Sequence, residues 1–309
     1  MGNAPSNKNV AILMATYNGI SWLHEQIDSI LNQADVRVCI YISDDMSTDG
    51  SWEYLQELAS SEPRIKLLPR ANKFGRAAAN FYRLILDTDT TGYDFVAFSD
   101  QDDIWELDKL TRQIKIAIEG GYDGVSSGVL AFWADGRLAQ IIKSQRQRKL
   151  DFIFESAGPG CTYLMSPWLI AETRKILMDN SINASNIALH DWLVYAVCRA
   201  NGKNWKIDAS PTLKYRQHAS NEVGANHGFG AKIARLKKIK DGWYRTEIIK
   251  ILEVCKLIKP FDALFSKLSH GLASRGYLNG LRLLRYVGQA RRKAADRLIL
   301  AIIILFAFF

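Results

Sequence analysis

The chain has 309 residues, of which 48% are hydrophobic and 23% are charged, and these proportions are typical of a globular protein rather than a disordered one. The length allows one large α/β domain with an appendage, or two domains. The net charge of +8 is uneven, because residues 1–230 carry −4 and residues 231–309 carry +12. The four cysteines show no CxxC spacing, which speaks against a zinc site and favours reduced thiols.

Short apolar runs alternate with segments of helical periodicity through the first third of the chain. The runs at residues 10–15, 37–43, 65–68 and 95–98 predict strands, and the segments between them predict helices, such as one at residues 21–33. A βαβαβαβ order predicts a mostly parallel, doubly wound sheet. In such a sheet, ligands bind beyond the carboxyl ends of the strands.

Polar residues follow the first predicted strand. Thr16, Tyr17 and Asn18 can present a hydroxyl, an aromatic face and an amide together, and this combination suits a nucleotide base. An ordinary turn, with Ser21 as the cap of the next helix, would use the same residue types. The sequence leaves both interpretations open at this point.

The second predicted strand ends in Asp44 and Asp45. One of these carboxylates can accept a hydrogen bond from a base N–H while its neighbour meets ribose hydroxyls. Ser47 and Asp49 are predicted to cap the next helix. Arg76, which follows a glycine after the third strand, could reach a base or a phosphate, or could belong to a solvated loop.

Three aspartates, Asp100, Asp102 and Asp103, lie within four positions after the fourth predicted strand. Carboxylates this close repel one another unless a cation lies among them. Their hard oxygen atoms suit Mg²⁺ or Mn²⁺, which keep coordination positions open for phosphate oxygens. The cluster therefore predicts a divalent cation and a diphosphate ligand. An acidic turn before a helix at residues 109–118 is the alternative.

The regular alternation ends in the middle of the chain. Residues 124–133 and 157–165 are predicted as strands, and Ser166 is predicted to cap the helix that follows. Within the second of these strands, Gly160 and Thr162 could line a sugar site. An ordinary turn that leads into a strand would explain the two residues equally well.

His190, Asp191 and Trp192 precede a predicted helix. An aspartate in that position is an N-cap by default. A catalytic role would require a carboxylate that takes a proton from an incoming hydroxyl, and the side chain of Trp192 would then offer a flat apolar face to a sugar ring.

Two edge strands are predicted at residues 205–207 and 213–216, directly before His218. This histidine could complete a metal shell together with an aspartate. A lone histidine is more often not a metal ligand, and its spacing alone does not decide the matter.

The C-terminal region, residues 231–309, lacks strand patterns and is predicted to be helical, with breaks near Pro260 and residues 271–280. It ends in the apolar segment LILAIIILFAFF at residues 298–309. Twelve apolar residues are fewer than the about 20 that span a bilayer, but they can enter one leaflet with basic residues at the headgroups. A helix buried against the domain is the alternative. The basic residues directly before the segment are Arg291, Arg292, Lys293 and Arg297.

Four motifs occur together and in one order: TYNG at residues 16–19, DDMSTDG at 44–50, DQDD at 100–103 and HD at 190–191. In this combination the chain resembles glycosyltransferase family 2 over about residues 8–222. The resemblance implies a GT-A fold, which is a nucleotide-binding α/β domain that holds a divalent cation. The segments SDQDDIW and YRQHASN are most similar to bacterial rhamnosyltransferases that build O-antigen or cell-wall rhamnan chains.

The resemblance also implies roles for individual residues. The general base would be Asp191, and the metal ligands would be Asp102 and His218. Many family members carry a second acidic residue before the base, where this chain has His190. Tyr17 would hold the nucleotide base together with one of the paired aspartates. With the residues singled out above, the predicted donor-binding group is Thr16, Tyr17, Asn18, Asp44, Asp45, Arg76 and Asp100. The predicted acceptor-binding group is Gly160, Thr162, His190 and Trp192.

The function implied by the resemblance is that of an inverting, metal-dependent glycosyltransferase with Mg²⁺ or Mn²⁺ as cofactor. It would move L-rhamnose from dTDP-rhamnose to a polyprenyl-diphosphate-linked glycan in surface polysaccharide synthesis. The expected location is the cytoplasm, peripheral on the inner face of the plasma membrane. The expected division is a GT-A catalytic domain at residues 1–222 and a basic helical region with an apolar membrane-associating end at residues 223–309.

Three alternatives differ in what they explain. A family member that uses a UDP-sugar would show the same motifs. A metal-dependent nucleotidyltransferase would also use aspartate pairs, but the first strand is not followed by a glycine-rich phosphate loop. A nucleic-acid-binding protein would account for the basic C-terminal region but not for the acidic strand ends. We therefore expect no nucleic acid among the partners.

Overall fold

The computed structural model describes residues 7–70, 72–218, 241–273 and 277–305. The strands are β1 (Lys8–Thr16), β2 (Val36–Asp44), β3 (Ile65–Leu67), β4 (Phe95–Ser99), β5 (Ile104–Trp105), β6 (Gly124–Ser127), β7 (Val129–Trp133), β8 (Leu138–Ile141), β9 (Leu164–Met165), β10 (Trp205–Asp208) and β11 (Leu213–Gln217). The helices are α1 (Ile20–Leu31), α2 (Ser51–Ser61), α3 (Ala77–Asp87), α4 (Lys109–Gly120), α5 (Asp151–Phe154), α6 (Pro167–Met178), α7 (His190–Ala200), α8 (Trp243–Ile258), α9 (Ala263–Ala273), α10 (Tyr277–Leu284), α11 (Val287–Ala290) and α12 (Ala294–Leu305).

Two sheets organise the described residues. The larger has seven strands in the order β10-β6-β9-β4-β1-β2-β3, and the smaller has four in the order β5-β11-β7-β8. β1 pairs in parallel with β2 and β4, and β2 pairs in parallel with β3. The predicted mostly parallel α/β sheet with a helical C-terminal extension is therefore confirmed. β9 is the exception, since it runs antiparallel between β4 and β6.

β1 lies in the interior of the large sheet, and both of its faces are covered. Ala11 and Leu13 pack into a cluster with residues of α3, α6 and α7, whereas Val10 and Ile12 pack into a second cluster with residues of α1 and α4. Side chains alternate between the two faces of a strand. Because helices cover both faces, β1 reads as a continuous apolar run without polar alternation.

Two predicted strands in the middle of the chain differ from the structure. The one at residues 124–133 is broken at Gly128 into β6 and β7, which belong to different sheets. A β-carbon at Gly128 would lie 2.6 Å from a backbone carbonyl oxygen, so only glycine fits this crossing. The one at residues 157–165 consists mostly of a loop and a 3₁₀ turn, Gly160–Thr162, before the two-residue β9.

The two predicted edge strands have different outcomes. β10 does lie at the edge of the large sheet. β11 does not, since it lies between β5 and β7 in the small sheet. Apolar and polar residues alternate in β11 as they would in an edge strand. The short strand β5, which follows the acidic cluster directly, nevertheless pairs with β11 on the side that would otherwise be the edge.

The C-terminal helices follow the predicted breaks. α8 ends at Ile258 and α9 begins at Ala263, on either side of Pro260, and α10 begins at Tyr277. The predicted domain boundary at residues 222–223 lies outside the described residues, as do the last three residues of the YRQHASN segment and residues 306–309.

α8 shares a core with the sheet region. Ile248 and Ile251 lie in the same buried cluster as Val194 of α7. The carboxylate of Glu247 accepts a hydrogen bond of 2.7 Å from the backbone N–H of Ala188. The described C-terminal helices are therefore tied to the segment that leads into α7.

α12 buries one side and exposes the other. Leu300, Ile303 and Ile304 are 3%, 7% and 5% exposed. The opposite side is also apolar, and its residues Leu298, Ile299, Ile302 and Leu305 are between 44% and 64% exposed. Among the described residues, no helix is both long enough and apolar enough to span a bilayer.

One prediction for the basic cluster before α12 is wrong. Arg292 is only 5% exposed, so its side chain is not placed to meet lipid headgroups. Its Nη1 lies 3.4 Å from Oδ2 of Asp151, and its Nη2 lies 3.5 Å from Oε2 of Glu155. The fully buried Asp151 and the partly buried Glu155 hold it in the interior, because a buried charge requires a partner. Lys293, the next residue, is exposed.

Candidate active site

The carboxyl ends of β1, β2 and β4 meet at one edge of the large sheet. Thr16 pairs in register with Asp44, and Met14 pairs with Ser99. The polar segments that follow these strands are therefore neighbours in space. This edge is where open α/β sheets bind their ligands.

Asp44 is surrounded by donors from its own turn. Its carboxylate accepts hydrogen bonds from Oγ1 of Thr16 at 3.1 Å and from N and Oγ of Ser47 at 2.9 and 2.5 Å. Nη2 of Arg70 lies 3.5 Å away. Thr16 is 1% and Asp44 2% exposed, so both side chains stabilise the turn from the protein interior. The structure therefore does not support direct contact between Thr16 and the donor. Ser47 therefore binds Asp44 and does not cap α2 as predicted.

Asp45 holds the loop that precedes α3. Its two carboxylate oxygens accept the backbone N–H groups of Phe74 and Gly75, the latter at 2.8 Å. Arg76 begins the next turn, and its Nη2 donates to the carbonyl oxygen of Ser185 at 2.5 Å. Both predicted donor-binding residues therefore fix loop positions beside the sheet edge.

Tyr17 presents the open aromatic face of the site, with 42% of its surface exposed. Nζ of Lys73 lies 2.9 Å from its hydroxyl and 4.6 Å from its ring centre. Gln101 accepts from the backbone N–H of Tyr17 and donates to its carbonyl oxygen, both at 2.8 Å. Oδ1 of Asn18 accepts from the N–H of Thr48 at 2.8 Å. Sequence reasoning missed Gln101 although it lies inside the acidic cluster.

The structure brings the two predicted metal ligands together. Nε2 of His218 lies 2.7 Å from Oδ2 of Asp102, and both side chains are mostly buried. The imidazole stacks on the indole of Trp22 with ring centres 4.0 Å apart. Trp22 was not singled out from the sequence, since an aromatic residue in the first turn of a helix carries no signal of its own.

A second group of potential ligands lies close by. Side-chain oxygens of Asp100 and Asp103 and the sulfur of Cys161 all lie within 4.8 Å of one another. Burial, and then the charges of Asp102 and Asp100, raises the pKa of Asp103 well above its usual range. Oδ1 of Asp103 accepts the backbone N–H of Arg216 at 3.2 Å. A divalent cation would relieve this crowding of carboxylates. The carboxylate oxygens suit Mg²⁺ or Mn²⁺, whereas the sulfur of Cys161 does not.

The 3₁₀ turn Gly160–Thr162 links the acidic cluster to the second half of the site. The sulfur of Cys161 lies within 4.8 Å of a carboxylate oxygen of Asp103. On the same turn, a β-carbon at Gly160 would lie 2.4 Å from Nε2 of His190 and 3.4 Å from Cβ of Asp191. The acidic cluster and Asp191 therefore flank one three-residue turn.

His190 is held between aromatic rings. Its imidazole stacks on Phe81 with ring centres 3.9 Å apart and meets Phe98 edge-on at 5.2 Å. Burial lowers the pKa of His190 to about 3, so the ring is neutral at physiological pH. His190 thus adds no charge next to Asp191.

Asp191 lies in the first turn of α7 and is partly exposed. Its Oδ1 accepts the backbone N–H of Trp192 at 2.7 Å. Burial raises the pKa of Asp191 to about 6, while hydrogen bonds from the Trp192 N–H and the Ser156 hydroxyl, and the charge of Lys143, oppose the rise. Ser156 and Lys143 were not singled out from the sequence, because both lie in irregular segments far from Asp191 along the chain.

Two predicted acceptor-binding residues are corrected by the structure. Trp192 is 2% exposed, and its Nε1 donates to the carbonyl oxygen of Phe152 at 2.9 Å. Its face is covered, so it cannot stack on a sugar in this arrangement. Thr162 is fully buried, and its hydroxyl donates to the carbonyl oxygen of Pro159 at 2.7 Å. Both residues stabilise the protein rather than line an open site.

Comparison with known proteins identifies a matching family and similar proteins. Residues 11–157 match the family described as Glycosyl transferase family 2. The chain is 41% identical over 297 residues to the dTDP-rhamnosyl transferase RfbG of Shigella flexneri, which covers 96% of this chain and 100% of that protein. It is 26% identical over 191 residues to the UDP-Glc:alpha-D-GlcNAc-diphosphoundecaprenol beta-1,3-glucosyltransferase WfgD of Escherichia coli, covering 57% of this chain and 73% of that protein.

Solved structures show the same architecture. The crystal structure of S. aureus TarS 1-349 in complex with UDP-GlcNAc superposes with a TM-score of 0.56 at 13% identity, covering 97% of this chain and 80% of that chain. At this identity the likeness concerns the fold alone. Together with the family match, it confirms the predicted GT-A fold.

Proposed function

The chain belongs to glycosyl transferase family 2, and on that basis we propose that it is an inverting rhamnosyltransferase that moves L-rhamnose from dTDP-rhamnose to a polyprenyl-diphosphate-linked glycan. The assignment of dTDP-rhamnose as the donor rests on the 41% identity over nearly the whole chain to a dTDP-rhamnosyl transferase. The site supports it with an open aromatic face, an acidic cluster and a partly exposed carboxylate around one sheet edge.

The donor half of the site supports a nucleotide next to a diphosphate. The exposed ring of Tyr17 suits a nucleobase, and Lys73, 4.6 Å from the ring centre, supplies positive charge for a phosphate. Asp102 and His218, whose side chains lie 2.7 Å apart, are the residues that would hold Mg²⁺ or Mn²⁺. When bound there, the ion would neutralise the charge that develops on the departing nucleoside diphosphate.

The acceptor half supports general-base catalysis by Asp191. Its carboxylate removes the proton of an acceptor sugar hydroxyl, whose oxygen bonds to the anomeric carbon as the bond from that carbon to the diphosphate oxygen breaks. Attack from the face opposite the leaving group inverts the anomeric configuration. A pKa of about 6 leaves Asp191 ionised at neutral pH yet basic enough to accept the proton. Such a base contributes a factor of about 10² to 10⁴ in rate.

A lipid-linked acceptor and a peripheral location on the inner face of the plasma membrane belong to the same proposal. WfgD carries a diphosphoundecaprenol-linked acceptor in its name. In this chain, α12 packs against α10, and Leu281 of α10 is 42% exposed. Arg282, Arg285 and Lys293, in the segments before α12, are exposed cations. Apolar side chains with flanking cations suit the interface of an anionic bilayer.

A donor panel tests the proposal. The purified enzyme is incubated with dTDP-rhamnose, UDP-glucose, UDP-GlcNAc and GDP-mannose, each with and without Mn²⁺ and with a polyprenyl-diphosphate glycan, and nucleoside diphosphate release is measured. We expect release from dTDP-rhamnose with Mn²⁺, an inverted anomeric centre in the product by NMR, and loss of transfer in Asp191→Asn. If the enzyme prefers a UDP-sugar, the proposed donor dTDP-rhamnose is wrong and the UDP-sugar is the donor. A parallel reaction with dTTP and rhamnose 1-phosphate tests for a nucleotidyltransferase, which would release pyrophosphate.

A further inference from the structure

Helix α1 contacts residues on both sides of the acidic cluster. Nε2 of Gln26, which is fully buried, donates to Oγ of Ser99 at 2.7 Å, and Ser99 directly precedes Asp100. On the other side, the backbone N–H of Trp105 donates to Oγ of Ser29 at 3.0 Å. Side chains three residues apart lie on the same face of a helix. One face of α1 therefore brackets the loop that carries the three aspartates.

The same helix reaches Asp102 through an arginine of β11. Glu25 of α1 pairs with Nη2 of Arg216. Nε of Arg216 donates to the backbone carbonyl oxygen of Asp102 at 2.9 Å, and its guanidinium lies 4.7 Å from the ring centre of Phe132. The side chain of Glu25 is 57% exposed, so its ion pair contributes little, because water screens the two charges. Arg216 therefore holds the backbone of Asp102 with little help from Glu25.

Trp22 of α1 contacts the second proposed metal ligand directly. Its indole and the imidazole of His218 are stacked, with ring centres 4.0 Å apart and planes inclined by 18°. Nε2 of the same imidazole lies 2.7 Å from Oδ2 of Asp102. A stacked ring cannot turn about its Cβ–Cγ bond without losing the contact between the two faces. The stack therefore favours the orientation of the imidazole in which Nε2 points at Asp102.

We propose that Trp22 is a positioning residue for the metal ligand His218, and that α1 thereby sets the geometry of the metal site before the cation binds. The inference rests on the proposed function, since it takes Asp102 and His218 to be the metal ligands. α1 begins shortly after the turn that carries Tyr17, the residue proposed to hold the nucleobase. One helix therefore connects the proposed sites for the nucleobase and for the cation.

The orientation of His218 predicts the size of the effect. A ligand that is already oriented binds its ion more tightly, because it loses less rotational freedom on binding. Residues that orient a metal-ligating side chain typically contribute about 10- to 100-fold in metal affinity. Loss of the indole would let the imidazole sample orientations in which Nε2 points away from Asp102. We therefore expect weaker metal binding although both ligands are still present.

The experiment compares Trp22→Leu, Trp22→Phe and a matched control, Trp168→Leu. Trp168 is likewise a partly exposed tryptophan in the first turn of a helix, α6, and Nζ of Lys203 lies 4.7 Å from its ring centre. Titration calorimetry with the full-length proteins measures Mn²⁺ affinity in the presence of dTDP. We expect Trp22→Leu to weaken Mn²⁺ binding by about 10- to 100-fold and Trp22→Phe to restore most of the affinity. Trp168→Leu should match the wild type.

Two further measurements separate positioning from a general role in the fold. The affinity for dTDP in EDTA should be the same in all four proteins, because hydrogen bonds to Gln101 hold the turn that carries Tyr17. In the proton NMR spectrum, the carbon-bound protons of an imidazole that lies over an indole are shifted upfield. We expect this shift for His218 in the metal-free wild type, assigned by comparison with His218→Asn, and its loss in Trp22→Leu.

Three results would overturn the inference. The first is a folded Trp22→Leu protein with wild-type Mn²⁺ affinity, and the second is a Trp22→Leu protein whose dTDP affinity in EDTA falls as much as its Mn²⁺ affinity. The third is a wild-type His218 signal without the upfield shift, which is informative even where Trp22→Leu does not fold. Failure of the proposed function is separate, since it would appear as absence of transfer from dTDP-rhamnose while Mn²⁺ affinity still depends on Trp22.

Discussion

Gly160 and His190 pack so closely that a β-carbon at position 160 would lie 2.4 Å from Nε2 of the imidazole. The imidazole has little room to retreat, because Phe81 stacks on one face at 3.9 Å and Phe98 meets it at 5.2 Å. Asp191 follows His190 directly. The absence of a side chain at Gly160 therefore fixes how the 3₁₀ turn sits against the candidate base.

Gly160→Ala should disturb the base more than the donor half of the site. We expect a lower kcat with nearly unchanged donor affinity, and a loss of about 1–3 kcal/mol in the free energy of unfolding from overpacking. Turnover assays and thermal denaturation measure the two effects. Gly288→Ala is the matched control, because a β-carbon there meets open space. A Gly160→Ala enzyme with wild-type turnover would contradict the close fit.

Asp191→Asn should remove the base while keeping the shape of the site. The amide oxygen can still accept the N–H of Trp192, which now bonds Oδ1 at 2.7 Å. We expect kcat to fall by about 10²- to 10⁴-fold while the dissociation constant for dTDP-rhamnose stays the same. Steady-state kinetics and calorimetry measure these quantities. Asp179→Asn, in the exposed loop after α6, provides the control.

The pH dependence should report the same residue. Burial raises the pKa of Asp191 from 3.8 to about 6, and only the ionised carboxylate accepts a proton. We therefore expect kcat/KM to rise with pH up to about 6 and to level off above it, since this ratio reports the free enzyme. An acidic limb near 4 would point to a carboxylate with an ordinary pKa instead of Asp191.

Much of the sheet and of the donor side was predictable because the physics is local. A parallel strand covered on both faces must be apolar, so β1 and β4 are visible as runs that end abruptly at Thr16 and Ser99. Parallel order then brings the residues beyond both ends to one edge. The positions of the aspartates at that edge follow from these two facts alone.

The features that sequence reasoning missed depend on tertiary partners. β9 has two residues, too few for any periodicity, and it runs antiparallel only because it fits between β4 and β6. The stacking of Trp22 on His218 joins distant parts of the chain. Arg292 was expected at a surface because arginines usually are, and only its ion pairs with Asp151 and Glu155 reverse that expectation.

The proposed metal site predicts that donor binding is sensitive to metal. We expect EDTA to abolish transfer and Asp102→Asn to weaken metal-dependent donor binding at least tenfold, because a neutral amide is a poorer ligand for a divalent cation. Titration calorimetry with dTDP in the presence and absence of Mn²⁺ measures the effect. Asp108→Asn is the control, since Asp108 is exposed and its side chain makes no capping bond. Equal metal-dependent affinities in Asp102→Asn and the wild type would show that the ion binds elsewhere.

The exposed side of α12 should mediate membrane binding. We expect the double substitution Ile299→Glu with Ile302→Glu to release the protein from vesicles of phosphatidylglycerol and phosphatidylethanolamine, because it places charge on the surface meant for acyl chains. Sedimentation with vesicles measures the bound fraction. Ile118→Glu changes an isoleucine that is 54% exposed on α4, and it should leave binding intact. Retention of the double variant would argue for a different attachment surface.

The two-sidedness of α12 also limits how this enzyme can be trimmed for purification. A shortened version that ends before Leu298 would lose Leu300, Ile303 and Ile304, each of which covers apolar surface worth about 1.5–3 kcal/mol when buried. Such a truncation would expose the apolar surface of the remaining helices that α12 covers. The shortened protein would then aggregate for reasons unrelated to lipid binding. Engineering for solubility should therefore replace the exposed apolar side chains of α12 individually and keep the helix itself in place.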